Sequence, residues 1–277
     1  MAFSVITNVS SLNAQRNLAR TQHALSQNMG RLSSGLRINS AADDAAGLAI
    51  SENLKAQIRG LGQAERNAMD GISLIQTAEG AMNEISGILT RMRELAVQSA
   101  TDTLGDTERG FLQTEFSALV SEVDRIANVT EFNGVNLLDT SAGTLDFQVG
   151  INNSGNDRIS VTIDDMRSTA LGGGALNTQT VATKAGAQAA LGVIDTAVSD
   201  VSDGRADVGA VQNRLQVTVA NLASARENLS AANSRIRDVD VAEETAAMTR
   251  NSILMQAGTS VLAQANQAPS LALSLLG

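Results

Sequence analysis

Residues 32–48 read LSSGLRINSAADDAAGL, and this stretch decides how the chain is divided. A helical apolar period ends before Gly35, which provides the left-handed backbone conformation that terminates a helix. Ser40 and Asp43 have the spacing of a capping box, whose side chains satisfy the first free backbone N–H groups of a new helix. Asp43 and Asp44 also carry the negative charge that the positive end of a helix dipole favours. The stretch therefore predicts a helix end followed at once by a helix start.

The composition of this 277-residue chain suits long, thin helical layers. Aromatic residues make up 2% of it, with no Trp or Tyr, so the side chains that usually anchor a globular core are scarce. The chain contains a single proline, Pro269, so almost nothing interrupts a helix before that position.

Composition also excludes several kinds of site and partner. Cysteine is absent, which removes disulfides, thiolate metal sites and cysteine nucleophiles. The net charge is −9 and the basic residues are scattered, which argues against a nucleic-acid partner. No apolar run approaches the ~18–20 residues that span a bilayer, so no membrane partner is expected. Residues 1–8 lack the charged and apolar regions of a secretory signal, so any export would take another route.

Residues 5–32 predict the first helix, because apolar side chains recur there at helical spacing. The members of this stripe are Val5, Ile6, Val9, Leu12, Leu18, Leu25, Met29 and Leu32. The stripe is thin, so this helix is expected to be marginal without a partner.

Residues 40–100 carry the strongest signal, a heptad-like apolar seam. Its members are Leu54, Ile58, Leu61, Ala68, Ile72, Ile75, Met82, Ile85, Leu89, Met92 and Ala96. At ~1.5 Å per residue the helix would be ~90 Å long, too long for a single small globule. A shorter helix follows the break at residues 102–106, and a second long seam runs from Leu191 to Ile236.

Between the long helical segments the period changes to two, which predicts strands. The alternating residues are Leu145, Phe147, Val149, Ile159, Val161 and Ile163, which indicates a β-hairpin at about 144–163. The polar residues 164–180 contain three consecutive glycines and are interpreted as a flexible crossing. Helical spacing returns in residues 239–277 and ends in a leucine-rich tail after Pro269.

No residue pattern predicts catalysis, a metal or a cofactor. His23 is the only histidine, and neither a second His nor a Cys is available to form a metal site or a nucleophilic pair with it. The adjacent acids at 43–44 and 243–244 point roughly 100° apart on a helix, so neither pair can act as an acid/base dyad on one substrate. The sequence therefore favours a structural protein over an enzyme.

Several blocks resemble the bacterial flagellins, the subunits of the flagellar filament. Besides residues 33–50 they are QAERNAMDGIS at 63–73, LTRMRELAVQ at 89–98, FNGV at 132–135, ENLSAANSRIRDVD at 227–240 and QANQ at 264–267. They are long, in order and present at both ends of the chain. The interval between the hairpin and Leu191 is too short for the outward domains that many flagellins insert, so activities placed on such inserts, proteolysis included, are not carried over.

The resemblance implies a mainly α fold, a long antiparallel helical bundle or coiled coil with a small β-hairpin region. Residues 1–39 and 238–277 would form the two parts of an inner helical domain. Residues 40–237 would form the outer long-helix domain. The implied function is self-assembly into a hollow helical filament for motility, through heterologous contacts that do not close into a ring.

The resemblance also implies partners and a location. The chain would leave the cell through the flagellar type III export apparatus, escorted by an export chaperone, and would join an extracellular filament beside cap and hook-junction proteins. The alternatives are a hook–filament junction protein, a periplasmic filament protein, a cell-surface binding protein of flagellin fold and, weakest, a hydrolase.

Three sets of contact residues follow. The subunit-assembly set comprises Val5, Val9, Leu12, Leu18, Leu25, Leu32, Ile253, Ala257 and Val261. The chaperone set comprises Leu262, Leu271, Leu273, Leu275 and Leu276. By analogy with the region that a host Toll-like receptor reads, the receptor set comprises Arg91, Leu95 and Glu115. Arg91 and Leu95 are expected to flank the long seam, so packing against the next subunit is the favoured role for the filament itself.

Overall fold

The computed structural model describes residues 7–139, 141 and 143–274, and it is mainly helical. The helices are α1 (Val9–Ser34), α2 (Ala45–Ser99), α3 (Asp106–Val129), the short α4 (Leu171–Gly174), α5 (Lys184–Arg237) and α6 (Val241–Ser274). The strands are β1 (Glu131–Phe132), β2 (Val135–Asn136), β3 (Thr144–Gln148) and β4 (Arg158–Thr162). The predicted fold class, long helices with a small β-hairpin region, is confirmed.

The chain divides into two compact units. The first, the terminal unit, comprises the described parts of Met1–Ala56 and Asn228–Gly277, and the second, the central unit, comprises Gln57–Glu227. Both boundaries fall inside the long helices α2 and α5, whereas the predicted domain boundaries lie in the loops before and after them. The predicted division at residues 39–40 and 237–238 stays a prediction.

The junction after α1 forms with a different cap from the one predicted. Gly35 ends α1 with φ of +70°, in the left-handed region. The N-cap of α2 is Asp44, whose carboxylate accepts a hydrogen bond from the Gly47 N–H at 2.9 Å. Asp43 instead accepts from the N–H groups of Asn39 and Ser40, and these bonds, from Ser40 first, lower its pKa. Ser40 and Asp43 therefore close a turn before the helix and do not cap it.

The predicted seam of α2 is the centre of the core. Its buried members are Leu61, Ala68, Ile75, Met82, Ile85, Leu89, Met92 and Ala96, and Ala64 and Ala78 are buried between them. The predicted members Leu54, Ile58 and Ile72 are half-buried. The buried residues of α5 recur at steps of three, four or seven residues and are Ala187, Ala190, Ile194, Ala197, Val201, Gly204, Val208, Leu215 and Leu222. Alanine occupies many of these positions beside Leu, Ile, Met and Val, so the core is aliphatic, with Phe116 of α3 among its largest members.

The predicted β-hairpin forms against this core. β3 and β4 pair antiparallel, from Thr144 opposite Thr162 to Gln148 opposite Arg158. The Phe147 ring approaches α2 so closely that a Cβ on Gly71 would lie 3.0 Å from it. The hairpin thus lies beside α2, where Gly71 leaves room for the Phe147 ring.

Residues 164–180 are an ordered part of the core, which corrects the expectation of a flexible crossing. Leu171 and Leu176 are fully buried, and the Asp124 carboxylate accepts hydrogen bonds from the Ser168 N–H and hydroxyl, both at 2.8 Å. Gly172 has φ of +64°, and a Cβ there would lie 2.6 Å from the Val193 side chain. The lack of a side chain at Gly172 therefore allows close packing against Val193 and does not serve flexibility.

Replacing Leu89 by Ala tests the seam. Leu89 is fully buried, so Leu89→Ala is expected to lower the free energy of unfolding by about 2–5 kcal/mol. The matched control is Val97→Ala on the exposed face of the same helix, expected to change it by less than about 0.5 kcal/mol. Urea unfolding followed by circular dichroism measures both, and equal losses would contradict the assigned seam.

Candidate assembly surface on the terminal helix pair

The helices α1 and α6 of the terminal unit pair antiparallel. The Asn8 side-chain amide donates to the Ala265 carbonyl oxygen at 2.7 Å, near the start of α1. Further along α1, Leu18 packs close to Gly258, because a Cβ added to Gly258 would lie 3.2 Å from Leu18 Cδ1. Residue numbers thus increase along α1 in the direction in which they decrease along α6, as in an antiparallel pair.

The contacting positions of both helices follow a heptad period. On α1 the buried and half-buried seam positions include Ser11, Ala14, Leu18, Thr21, Leu25, Asn28 and Leu32. On α6 they include Glu244, Met248, Asn251, Met255, Gly258, Leu262 and Ala265. We call these two sets the terminal seam.

The most buried residues of the terminal seam are polar. Ser11 is 6% exposed and its hydroxyl donates to the Asn266 side-chain oxygen at 2.7 Å. Asn28 is 8% exposed, donates its amide to the Glu244 carboxylate and accepts from the Asn251 amide at 2.8 Å. Each of these buried polar groups has a partner, as burial requires.

Other large apolar residues of the same two helices lie outside the terminal seam and face outward. Val9 and Ile253 are each 60% exposed. Among the described side chains of the pair, the other exposed large apolar residues are Leu12, Met29, Val241, Leu254 and Val261. An accumulation of exposed apolar side chains on one helix pair is typical of a surface that another molecule covers. We call these seven residues the apolar surface.

The structure separates the residues of the predicted assembly set. Those that are exposed are Val9, Leu12, Ile253, Ala257 and Val261. Those that are half-buried in the terminal seam are Leu18, Leu25 and Leu32, spaced one heptad apart. Val5 lies outside the described residues. Leu254 and Val241 belong to the apolar surface but not to the predicted set, and the only signal that could have found them is their apolar character within α6.

The predicted chaperone set lies at the end of α6. Leu262 is half-buried in the terminal seam. Leu271 and Leu273 lie in α6, but the structure describes only their backbone. Leu275 and Leu276 lie outside the described residues.

Two of the three predicted receptor residues are exposed. The Arg91 guanidinium donates to Glu115 at 2.9 Å and to Glu94 at 2.9 Å, and the bond to Glu94, followed by that to Glu115, raises the pKa of Arg91. Leu95 does not flank the seam as expected, because it is fully buried in the core. Helical period alone places Leu95 beside the seam, and only the packing of neighbouring elements covers it.

The two connections to the terminal pair run side by side. The Arg37 N–H donates to the Arg237 carbonyl at 2.7 Å, and the Val239 N–H donates to the Gly35 carbonyl at 3.1 Å. The Asp240 carboxylate then accepts from the Ala242 N–H at 2.9 Å, at the start of α6. Backbone pairing thus brings the end of α1 and the start of α6 together.

The described part of the chain contains no grouping of three or more His, Cys, Asp or Glu suited to a metal ion. His23 is exposed, with Gln27 as its neighbour at 3.4 Å. Among the helices that the structure describes, none is both long and apolar enough to cross a membrane.

Two family models match the chain. The bacterial flagellin N-terminal helical region matches residues 5–143, and the bacterial flagellin C-terminal helical region matches residues 191–276. Together they cover α1, α2, α3 and α6 and most of α5.

Similar proteins extend over nearly the whole chain. A flagellin of Halalkalibacterium halodurans is 49% identical over 269 residues, which cover 97% of this chain and 98% of that protein. The flagellar filament 33 kDa core protein of Treponema phagedenis is 45% identical over 282 residues, with the same coverage. The crystal structure of Bacillus cereus flagellin matches with a TM-score of 0.50 and 33% identity, over 61% of this chain and 94% of that one. The chain therefore belongs to the bacterial flagellin family, whose members are structural subunits of the flagellar filament.

Proposed function

We propose that the apolar surface of α1 and α6 packs against neighbouring subunits and that this contact forms the inner wall of the filament. The observation that carries this proposal is the exposure of large apolar residues on a helix pair whose most buried seam positions are polar. In this scheme residues 1–39 and 238–277 act as the inner domain and residues 40–237 as the outer one. The chain then has a purely structural role, without catalysis.

Burial of this surface would supply the driving force for assembly. Fully burying a Val, Leu, Ile or Met side chain contributes about 1.5–3 kcal/mol. Only part of that gain remains after the entropic cost of association. Because a helical filament is built from heterologous contacts, each added subunit repeats the same burial without closing the assembly.

A double substitution on the apolar surface tests this role. Ile253→Ser with Val261→Ser removes two exposed apolar side chains and is expected to raise the critical concentration for polymerisation at least about tenfold, a change of ~1.4 kcal/mol. Sedimentation and electron microscopy of seeded filaments measure it. The matched control is Val217→Ser, an exposed valine of the central unit. An unchanged critical concentration in a double variant of normal helix content would contradict the proposal.

We further propose that α1 and α6 are disordered in the free subunit and fold as it joins the filament. The Leu, Met and Ala members of the terminal seam are only half-buried and its most buried members are polar, so the pair by itself buries limited apolar area. That burial must offset about 1–2 kcal/mol of backbone entropy per ordered residue. Coupled folding would confine growth to the filament tip, where neighbouring subunits cover the apolar surface.

Limited proteolysis tests the coupled folding. In the free subunit, cleavage is expected to stop near Ser40 and Asp240 and to leave a core that does not polymerise. In filaments the same sites are expected to be protected, which serves as the control. Ends that resist protease in the free subunit, or a trimmed core that still polymerises, would contradict this account.

Disordered ends also fit the proposed export route. We propose secretion through the flagellar type III apparatus into an extracellular filament, where cap and hook-junction proteins are neighbours. The chaperone set, from Leu262 to Leu276, is the segment we assign to the export chaperone. The absence of Cys and the single proline are compatible with passage of an unfolded chain through a narrow channel.

We also propose that a host Toll-like receptor reads the exposed pair of Arg91 and Glu115. Their side chains are about half exposed and are joined at 2.9 Å. Leu95 is buried beneath this surface layer and is assigned a positioning role in place of direct contact.

Arg91→Ala tests receptor recognition. An exposed arginine at the centre of an interface contributes about 2 kcal/mol or more, so signalling by the free subunit is expected to weaken roughly 30-fold. Arg93→Ala, two residues away on the same helix and paired with Asp195, is the control. A folded Arg91→Ala variant that signals normally would refute the assignment. Leu95→Ala is unsuitable as a probe of direct contact, because it opens a cavity in the core.

A further inference from the structure

We propose that the polar contacts in the terminal seam determine the single register in which α1 and α6 pair. Two sets of contacts carry this inference. One joins Asn28 to Glu244 and Asn251, and the other joins Ser11 to Asn266. We call the first set the polar key.

The remainder of the terminal seam specifies register only weakly. Its other members are Leu, Met, Ala, Gly and Thr. If α6 slips by one heptad, a seam position meets another seam position, and a flexible Met or small Ala accommodates either neighbour. Apolar packing in this pair thus permits several alignments of similar stability.

The polar key penalises those alternatives. In the observed register the Asn28 side-chain amide donates a hydrogen bond to Glu244, and the Asn28 side-chain oxygen accepts one from Asn251. Arg31 adds ionic contacts of 3.9 Å to Glu244 and 3.8 Å to Asp43. A slip of one heptad in either direction moves Asn28 away from one of its two partners. A buried polar group then loses one of its hydrogen bonds, which disfavours the slipped alignment.

The second set of contacts restricts the slip at the far end of the pair. Ser11 is buried and donates to Asn266, while Asn8 donates to the Ala265 carbonyl. A buried polar residue at one seam position is known to set register in coiled coils at a cost in stability. The same trade-off accounts for the polar residues at the most buried sites of the terminal seam.

This inference deepens the proposed assembly role, because register decides which apolar residues of α1 lie beside those of α6. A slipped pair would present a different apolar surface to the next subunit. The experiment reads register directly, so that failure of the register proposal and failure of the assembly proposal give different results.

Disulfide trapping in the full-length chain provides the test, because the chain contains no cysteine. The in-register pair is Leu18→Cys with Gly258→Cys. The pairs slipped by one heptad are Leu25→Cys with Gly258→Cys and Ala14→Cys with Met255→Cys. Mild oxidation of seeded filaments, followed by mass spectrometry of the linked peptides, measures the yield of each.

With the polar key intact, the in-register disulfide is expected to dominate. Changing the key to leucine by Asn28→Leu, Glu244→Leu and Asn251→Leu is expected to reduce the ratio of in-register to slipped disulfides about tenfold in seeded filaments, where α1 and α6 are paired, without loss of helix content. Glu244→Gln, which keeps an oxygen for the Asn28 amide, is expected to retain the original ratio. The control places three leucines on exposed positions of the same helices, by Asn17→Leu, Glu243→Leu and Gln256→Leu.

The inference is overturned if the leucine variant keeps the original ratio, or if the chain with an intact key shows no preference among the three pairs. If the leucine variant loses helix content, single Asn28→Leu and Asn251→Leu variants are measured in its place, with the same ratio as the criterion. Normal register in filaments, together with an unchanged critical concentration of the Ile253→Ser and Val261→Ser double variant, would instead count against the proposed assembly surface alone.

Discussion

The three-four spacing of small and aliphatic residues along α2 and α5 is the constraint on which the rest of the structure depends. With almost no aromatic residues, the central core is formed by side chains such as Ala78, Ile85 and Ala197, all fully buried. Small side chains let elements approach closely, and the same need for space explains Gly71 beneath Phe147 and Gly172 beside Val193. The core between these long helices is thus filled by aliphatic side chains, many of them alanine, in place of the aromatic side chains of an ordinary globular domain.

The terminal pair uses the same heptad spacing with polar residues at its most buried positions. In the central unit most apolar residues are inside and polar side chains such as Arg93 and Asp195 pair on the surface, although Phe111 and Val217 are exposed. In the terminal unit Asn28 and Ser11 are inside, while Val9 and Ile253 are outside. The terminal arrangement is typical of an element whose burial is completed by other molecules, which agrees with membership of a family of filament subunits.

Polar contacts and apolar contacts therefore have different roles in the terminal unit. Apolar burial is strong but unspecific in direction and register, whereas a hydrogen bond between buried side chains is weak in net free energy but costly to lose. A polymer built from many identical subunits needs both properties, since an error in one contact is repeated along the assembly. The Asn28–Glu244 contact and the exposed Ile253 illustrate the two contributions within one helix pair.

The sequence by itself determined the long helices, the end of α1 at Gly35, the β-hairpin and the family, because periodicity, turn residues and ordered blocks are local signals. Only the tertiary structure showed that Leu95 is buried, that Leu18 and Leu25 lie within the terminal seam, and that Val9 faces outward. Only the structure, likewise, moved the cap of α2 from Ser40 to Asp44. The physical reason is that helical period places apolar residues on a face, whereas burial depends on which neighbouring element covers that face.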